Sequence, residues 1–134
     1  MSPTRQPDVL DASALLAFIR AERGHETVAA AIEAGAQVCS VNTGEVMTVL
    51  VRDGVPIDGA ANLIGDLPVD VVHLDLDLAL RVGAMILHTR PHGLSFGDRA
   101  CLALGARQGA TVLTADRGWL KVASSIGVTV RLIR

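Results

Sequence analysis

The fold turns on TVLTAD, residues 111–116, and on its N-terminal counterpart DVLD, residues 8–11. Both are short apolar runs that stop at an aspartate. Runs this short and this apolar predict strands buried on both faces. Working outward from them, 110–115 is a strand and 8–11 is another. Between them lie further runs of the same kind at 36–41 and 69–74, and a last strand falls at 128–133.

The intervening segments have helical spacing. Residues 13–22 carry a stripe of Leu15, Leu16, Phe18 and Ile19, and 26–35 form a second helix closed by Gly35. A helix over 42–54 ends at Gly54. The next opens at Pro56 and is stopped by Pro68 after about Leu67. HLDLDLAL alternates like a strand, but Leu78, Val82, Met85 and Ile86 fit a helical face better, so a helix is expected from near Asp75 to Arg90–Pro91. Residues 95–109 form a helix rich in small residues, suited to close packing on a sheet, and 117–126 a short helix or turn. Strands alternating with helices predict a single α/β domain with a short, mostly parallel central sheet covered by helices on both faces.

Composition narrows the function. The chain has 134 residues, half of them hydrophobic and 19% charged, which suits one globular domain with a real core. Phe18, Phe96 and Trp119 are its only aromatic residues, too few for a base-stacking surface. The formal net charge of −2 gives no general attraction to polyanions. Cys39 and Cys101 lie in apolar segments and are expected as reduced core thiols. The opening MSPTRQPD is polar rather than signal-like, and no apolar run is long enough to span a bilayer, so the expected compartment is the cytoplasm, with no membrane partner.

In an open parallel sheet, ligands bind beyond the carboxyl ends of the strands. Four acids are expected at that edge. Asp11 and Asp116 follow the first and fourth strands, and Glu45 lies in the first turn of the helix after the second. Asp98 opens the helix that leads into the fourth strand. Singly, each suits a helix cap, and Asn42-x-x-Glu45 and Ser95-x-x-Asp98 both have capping-box spacing. Together they need compensation, because two carboxylates about 5 Å apart repel by about 3 kcal/mol at an effective dielectric near 20. Either protons bind or a cation enters. An all-oxygen ligand set without His or Cys selects Mg²⁺ or Mn²⁺. His25, His73, His88 and His92 show no metal-binding spacing, and His92, between Pro91 and Gly93, is the one expected nearest a substrate.

VLDASALLAF, SVNTGEV, LSFGDRACLALGARQGATVLTADRGW and the closing GVTVRLIR resemble, in order and spacing, the PIN-domain superfamily, and within it VapC-type toxins of type II toxin–antitoxin systems. The resemblance covers nearly the whole chain and implies one PIN-like ribonuclease domain over residues 1–134. Its acidic quartet corresponds to Asp11, Glu45, Asp98 and Asp116, as metal ligands and catalytic residues. The neighbouring small hydroxyl residues correspond to Ser13 and Thr114. It further implies a Mg²⁺-dependent endoribonuclease acting on RNA, with Mn²⁺ able to substitute, a homodimer, and a cognate antitoxin that covers the active site. Many relatives carry another acid after the last aspartate, where this chain has Arg117-Gly118-Trp119, and Gly44 stands where a larger residue is usual. Arg99 and Arg117, each following an acid of the quartet, are expected to meet the RNA backbone.

Other readings use the same acids. A haloacid-dehalogenase-like domain needs D-x-D after the first strand, where this chain has Asp11-Ala12-Ser13. A receiver-like domain needs a lysine beyond a late strand, and the sole lysine, Lys121, lies a helical turn past Asp116. A catalytically inert PIN-like binding module typically lacks an acid, and none is missing. For the dimer surface, the helices at 43–51 and 55–67 offer Val46, Val49, Leu50, Ala60, Ala61 and Leu63, with core packing the expected use of most of them.

Overall fold

A computed structural model describes residues 6–134. The polar stretch 1–5, part of the N-terminal reading above, lies outside the described residues. Five strands form one sheet: β1 (Val9–Leu10), β2 (Gln37–Cys39), β3 (Asp70–Val72), β4 (Thr111–Thr114) and β5 (Thr129–Leu132). Their spatial order is β3-β2-β1-β4-β5, and every neighbouring pair is parallel. The strands are shorter than their apolar runs because the chain turns at once into the next helix. Ladder bonding still reaches past β1, with Asp11 N–H donating to the Leu113 carbonyl at 3.2 Å and Gln37 N–H to that of Asp8 at 2.8 Å.

The helices are α1 (Ala12–Ile19), α2 (His25–Glu33), α3 (Ser40–Arg52), α4 (Ile57–Gly65), α5 (Leu76–Ala84), α6 (Ile86–Thr89), α7 (Phe96–Gln108) and α8 (Trp119–Ala123). Strand side chains alternate between two cores. Leu10, Val38 and Leu113 point to the face covered by α1 to α4, whereas Val9, Cys39 and Val112 point to the face covered by α5, α7 and α8. Both cysteines are free and buried. On α7 the small residues allow the expected close packing: a Cβ at Gly105 would lie 2.4 Å from Val112 Cγ2.

Of the boundaries that differ from the sequence expectation, two bear on the site. The helix expected to run to Arg90–Pro91 is interrupted at Met85 and resumes as α6, followed by a 3₁₀ turn over Arg90–His92. Thr89, fully buried, donates its hydroxyl back to the Met85 carbonyl at 3.0 Å, and Pro91 cannot continue an α-helical ladder. Helix α3 begins at Ser40, directly after β2, instead of at Asn42. The Ser40 carbonyl accepts the Thr43 hydroxyl at 2.6 Å, and its Oγ accepts Leu74 N–H at 3.0 Å. Of the apolar residues offered for a dimer surface, Val46, Leu50 and Ala60 are core, while Ala61 and Leu63 are exposed. Among the described residues no helix is long and apolar enough to cross a membrane.

The sheet order fixes where a site belongs. The chain moves from β1 outward through β2 to β3, then returns across the other face to β4 on the far side of β1. β1 and β4 are therefore neighbours whose connections leave in opposite directions, and a crevice opens beyond their carboxyl ends. Asp11 and Asp116 follow these two strands.

Candidate functional site

Asp11 is the N-cap of α1 and is 6% exposed. Its Oδ1 accepts Ala14 N–H at 2.8 Å and the Ser13 hydroxyl at 2.6 Å, and its Oδ2 accepts the Thr114 hydroxyl at 2.5 Å. Ser13 Oγ in turn accepts Ala115 N–H at 2.9 Å, and Thr114 Oγ1 accepts Asp116 N–H at 3.0 Å. These bonds tie the end of β1 to the end of β4 across the crevice. Three donors favour the carboxylate, yet burial outweighs them and pushes its pKa up to about 6, with the nearby Asp98 adding to the rise. Among the described residues no cationic side chain pairs with Asp11.

Glu45 lies in the second turn of α3, because that helix starts at Ser40. Asn42 is consequently not a cap. It is 1% exposed, and its Nδ2 donates to Glu45 Oε1 at 2.7 Å and to the Gly97 carbonyl at 3.0 Å. Reversing the amide would turn its oxygen toward two acceptors, so the network fixes its orientation. Glu45 is pressed onto the first turn of α7, where a Cβ at Gly97 would lie 2.2 Å from Glu45 Oε2. Asp98 follows directly and forms a full capping box with Ser95, as its spacing predicts. Asn42 and Gly97 are the site residues that sequence reasoning missed. The Asn-x-x-Glu spacing was a visible signal, but its meaning depended on where the helix began.

Asp116 is exposed, and its Oδ1 accepts Gly118 N–H at 2.8 Å. It shares with Asp98 a cavity of about 310 Å³ that also touches His92, Trp119 and Lys121. Beneath the other acids, Cys101 is held un-ionised first by burial, and then by the negative fields of Asp11, Asp98 and Glu45 among others. The fold thus gathers the quartet around one edge. Among the described residues, no three His, Cys, Asp or Glu side chains close on one point as a ready-made metal site. Protein donors hold each acid separately, and uncompensated carboxylates repel. The donor set nonetheless suits a hard cation: Glu45 Oε2, Asp98 Oδ1 and Asp116 Oδ2 accept no bond from the described residues, and the buried Asn42 Oδ1 has no partner.

The two arginines expected at the RNA backbone have other commitments. Arg99 donates from Nη1 to the Val82 carbonyl of α5 at 2.9 Å and lies 5.5 Å from the Phe96 ring centroid. Arg117 is exposed and donates to the Arg134 carbonyl at 3.3 Å. His25 pairs with Glu26 at 3.0 Å, and His73 and His88 are exposed, outside this group.

Asn42→Ala is expected to lower stability by about 1–3 kcal/mol, because the buried Gly97 carbonyl loses its donor and Glu45 its tether. Urea unfolding measures this, and an unchanged midpoint would show that the amide carries no structural weight.

The family model of the PIN domain matches residues 9–124, and the chain belongs to that family. Its fold is shared with toxin–antitoxin structures. DNA-bound VapBC from Salmonella typhimurium matches with a TM-score of 0.77 at 14% identity, over 96% of this chain and 99% of that one. VapBC-1 from nontypeable Haemophilus influenzae matches at 0.71 and 10%, over 94% and 97%. VapC20 from Mycobacterium tuberculosis, a Sarcin-Ricin loop cleaving toxin, matches at 0.64 and 20%, over 78% and 86%. No curated protein matches the chain significantly in sequence.

Proposed function

We propose that this PIN domain is a Mg²⁺-dependent endoribonuclease, the toxin of a toxin–antitoxin pair, that hydrolyses RNA phosphodiester bonds at the Asp11, Glu45, Asp98 and Asp116 site. The observation that carries the reading is the gathering of four acids at the switch point of the sheet, one of them buried without a counter-charge. The four carboxylates would hold the ion, and Mn²⁺ would substitute. When bound, the ion supplies positive charge to the scissile phosphate and lowers the pKa of the attacking water.

The chain's own residues do the positioning. Ser13 and Thr114 fix the Asp11 carboxylate through their hydroxyls, and Asn42 fixes Glu45. Either Asp98 or Asp116, which share one cavity, would accept a hydrogen bond from the attacking water and align it. Similarity to the VapBC complexes supports a cognate antitoxin protein as partner, and similarity to VapC20 supports RNA as substrate. The protein acts as a homodimer in the cytoplasm. Leu76, Leu80 and Leu87, at 74%, 65% and 78% exposure, are apolar side chains that a second copy would cover.

The test is incubation of the purified protein with single-stranded RNA in Mg²⁺ and in EDTA, alongside calorimetric titration with Mn²⁺. Cleavage in Mg²⁺ alone, abolished by Asp98→Asn in a variant that still folds, supports the reading. Absence of both Mn²⁺ binding and cleavage overturns it and favours an inert PIN-like binding module.

A further inference from the structure

The cavity beside Asp98 and Asp116 has a second wall that the proposed hydrolysis does not use. It is formed by Pro91 to Leu94 of the loop before α7, and by Gly118, Trp119 and Lys121 of α8 and its approach. Two cationic or potentially cationic groups, Lys121 and His92, therefore face the cavity whose other wall carries two carboxylates. Lys121 is the only lysine in the chain. Among the described residues neither Lys121 nor His92 has an ion-pair or side-chain hydrogen-bond partner. Arg20, Arg81 and Arg107 are paired with Asp53, Asp77 and Asp75, and Arg99 and Arg117 are bonded to carbonyls; Arg23, Arg90 and Arg131 have no such partner among the described residues but do not line this cavity.

Size and chemistry select the ligand. A volume of about 310 Å³ lies at the small end of ligand sites, which run from roughly 300 to 1,000 Å³. It is room for about one nucleotide, not for a stacked segment of nucleic acid. Trp119, 1% exposed, builds part of the wall, and its indole N–H has no acceptor among the described residues. Pro91 and Leu94 add apolar surface. A chain of net charge −2 also needs local cations if a polyanion is to approach four acids.

We propose that this cavity is a single-nucleotide subsite: it takes the nucleotide adjoining the cut, with Lys121 and His92 on that nucleotide's phosphate. The proposal rests on the RNA-directed reading of the acidic site, but it concerns binding and is measurable without cleavage.

The experiment is fluorescence anisotropy of a labelled single-stranded RNA 12-mer, with Ca²⁺ replacing Mg²⁺, for the wild type, Lys121→Ala and His92→Ala/Lys121→Ala. Arg52→Ala, which changes an exposed residue outside the cavity, is the control. Lys121→Ala is expected to weaken binding about five- to tenfold and to reduce the slope of log K against log salt by about 0.7, the contribution of one single-strand phosphate contact. The double variant weakens it further, and Arg52→Ala changes neither. In parallel, a nucleoside 3′,5′-bisphosphate is titrated into ¹⁵N-labelled protein. Shifts at Gly93, Gly118 and the Trp119 indole N–H support the subsite. Unchanged affinity and slope in the double variant overturn it, even if the wild type cuts RNA. Wild-type RNA binding that is lost in the double variant, without any cleavage, keeps the subsite and sinks the nuclease. No RNA binding by the wild type removes both.

Discussion

Asp11→Asn is expected to reduce RNA cleavage by at least about 10²–10³-fold, the effect of removing one preorganised electrostatic group from a reaction centre, while making the metal-free protein more stable at pH 7. Asparagine caps a helix about as well as aspartate, so α1 keeps its N-cap through the amide oxygen, while the amide nitrogen takes the place of the oxygen that accepts the Thr114 hydroxyl, which must turn to accept instead. The charge is what burial opposes. The Asp11 pKa is raised from 3.8 to about 6, with desolvation the largest cause. A carboxyl whose folded pKa lies above its unfolded value binds more protons in the native state. Its stabilisation is fully present below about pH 3.8 and is lost as pH rises through about 6. By pH 7 the wild type has lost up to about 3 kcal/mol in this way, and the variant has not.

Thermal unfolding in EDTA across pH 4–8 measures the difference. The wild-type profile should descend between pH 4 and 6, and that descent should be missing from the variant. Adding Mg²⁺ should raise the wild-type midpoint by linkage and leave the variant's nearly unchanged. Wild-type cleavage by the variant would remove Asp11 from the chemistry. A variant less stable than the wild type at pH 7 would show that the three hydrogen bonds outweigh the buried charge.

Gly97→Ala separates position from stability. The added Cβ would stand 2.2 Å from Glu45 Oε2 and 2.4 Å from its Cδ, so the carboxylate must move. Moving the Glu45 carboxylate strains its bond from the buried Asn42 amide, and the gain in helix propensity from glycine to alanine, less than about 1 kcal/mol in a first turn, offsets part of that cost. Stability should change by no more than about 1 kcal/mol, while cleavage falls about 10²-fold, the effect of misplacing a reacting geometry by an ångström. Gly105→Ala on the same helix is the contrast. Its Cβ meets Val112 Cγ2 at 2.4 Å inside the core, where overpacking costs about 1–3 kcal/mol and activity per folded molecule is retained. Equal cleavage by Gly97→Ala and the wild type would show that the placement of Glu45 against α7 is immaterial.

Several features were legible from residue order alone. The apolar runs around Val9–Leu10 and Thr111–Thr114 read as buried strands, and their alternation with helical stripes pointed to a parallel sheet covered on both faces. The Ser95–Asp98 capping box was readable because it depends on four consecutive residues. The reading was weaker wherever a boundary was settled by distant contacts. Asn42 has the spacing of a cap, but α3 starts two residues earlier, at Ser40, whose Oγ accepts the N–H of Leu74 just beyond β3. Arg99 looked like an RNA contact because it follows Asp98, but one residue on a helix is a turn of about 100°, and its guanidinium faces α5.

Local periodicity and caps, which act over a few residues, were enough to place the strands and most of the helices, and with them four acids at strand ends and near helix starts. The strand order, the crevice between β1 and β4, and the meeting of Asn42 with Gly97 were decided only in the tertiary structure. Those arise from packing between segments as far apart as Asn42 and Gly97, 55 positions along the chain, and no short-range pattern encodes such a contact. The pKa of Asp11 belongs to the same class, because desolvation depends on everything that surrounds the carboxyl and not on its neighbours in sequence.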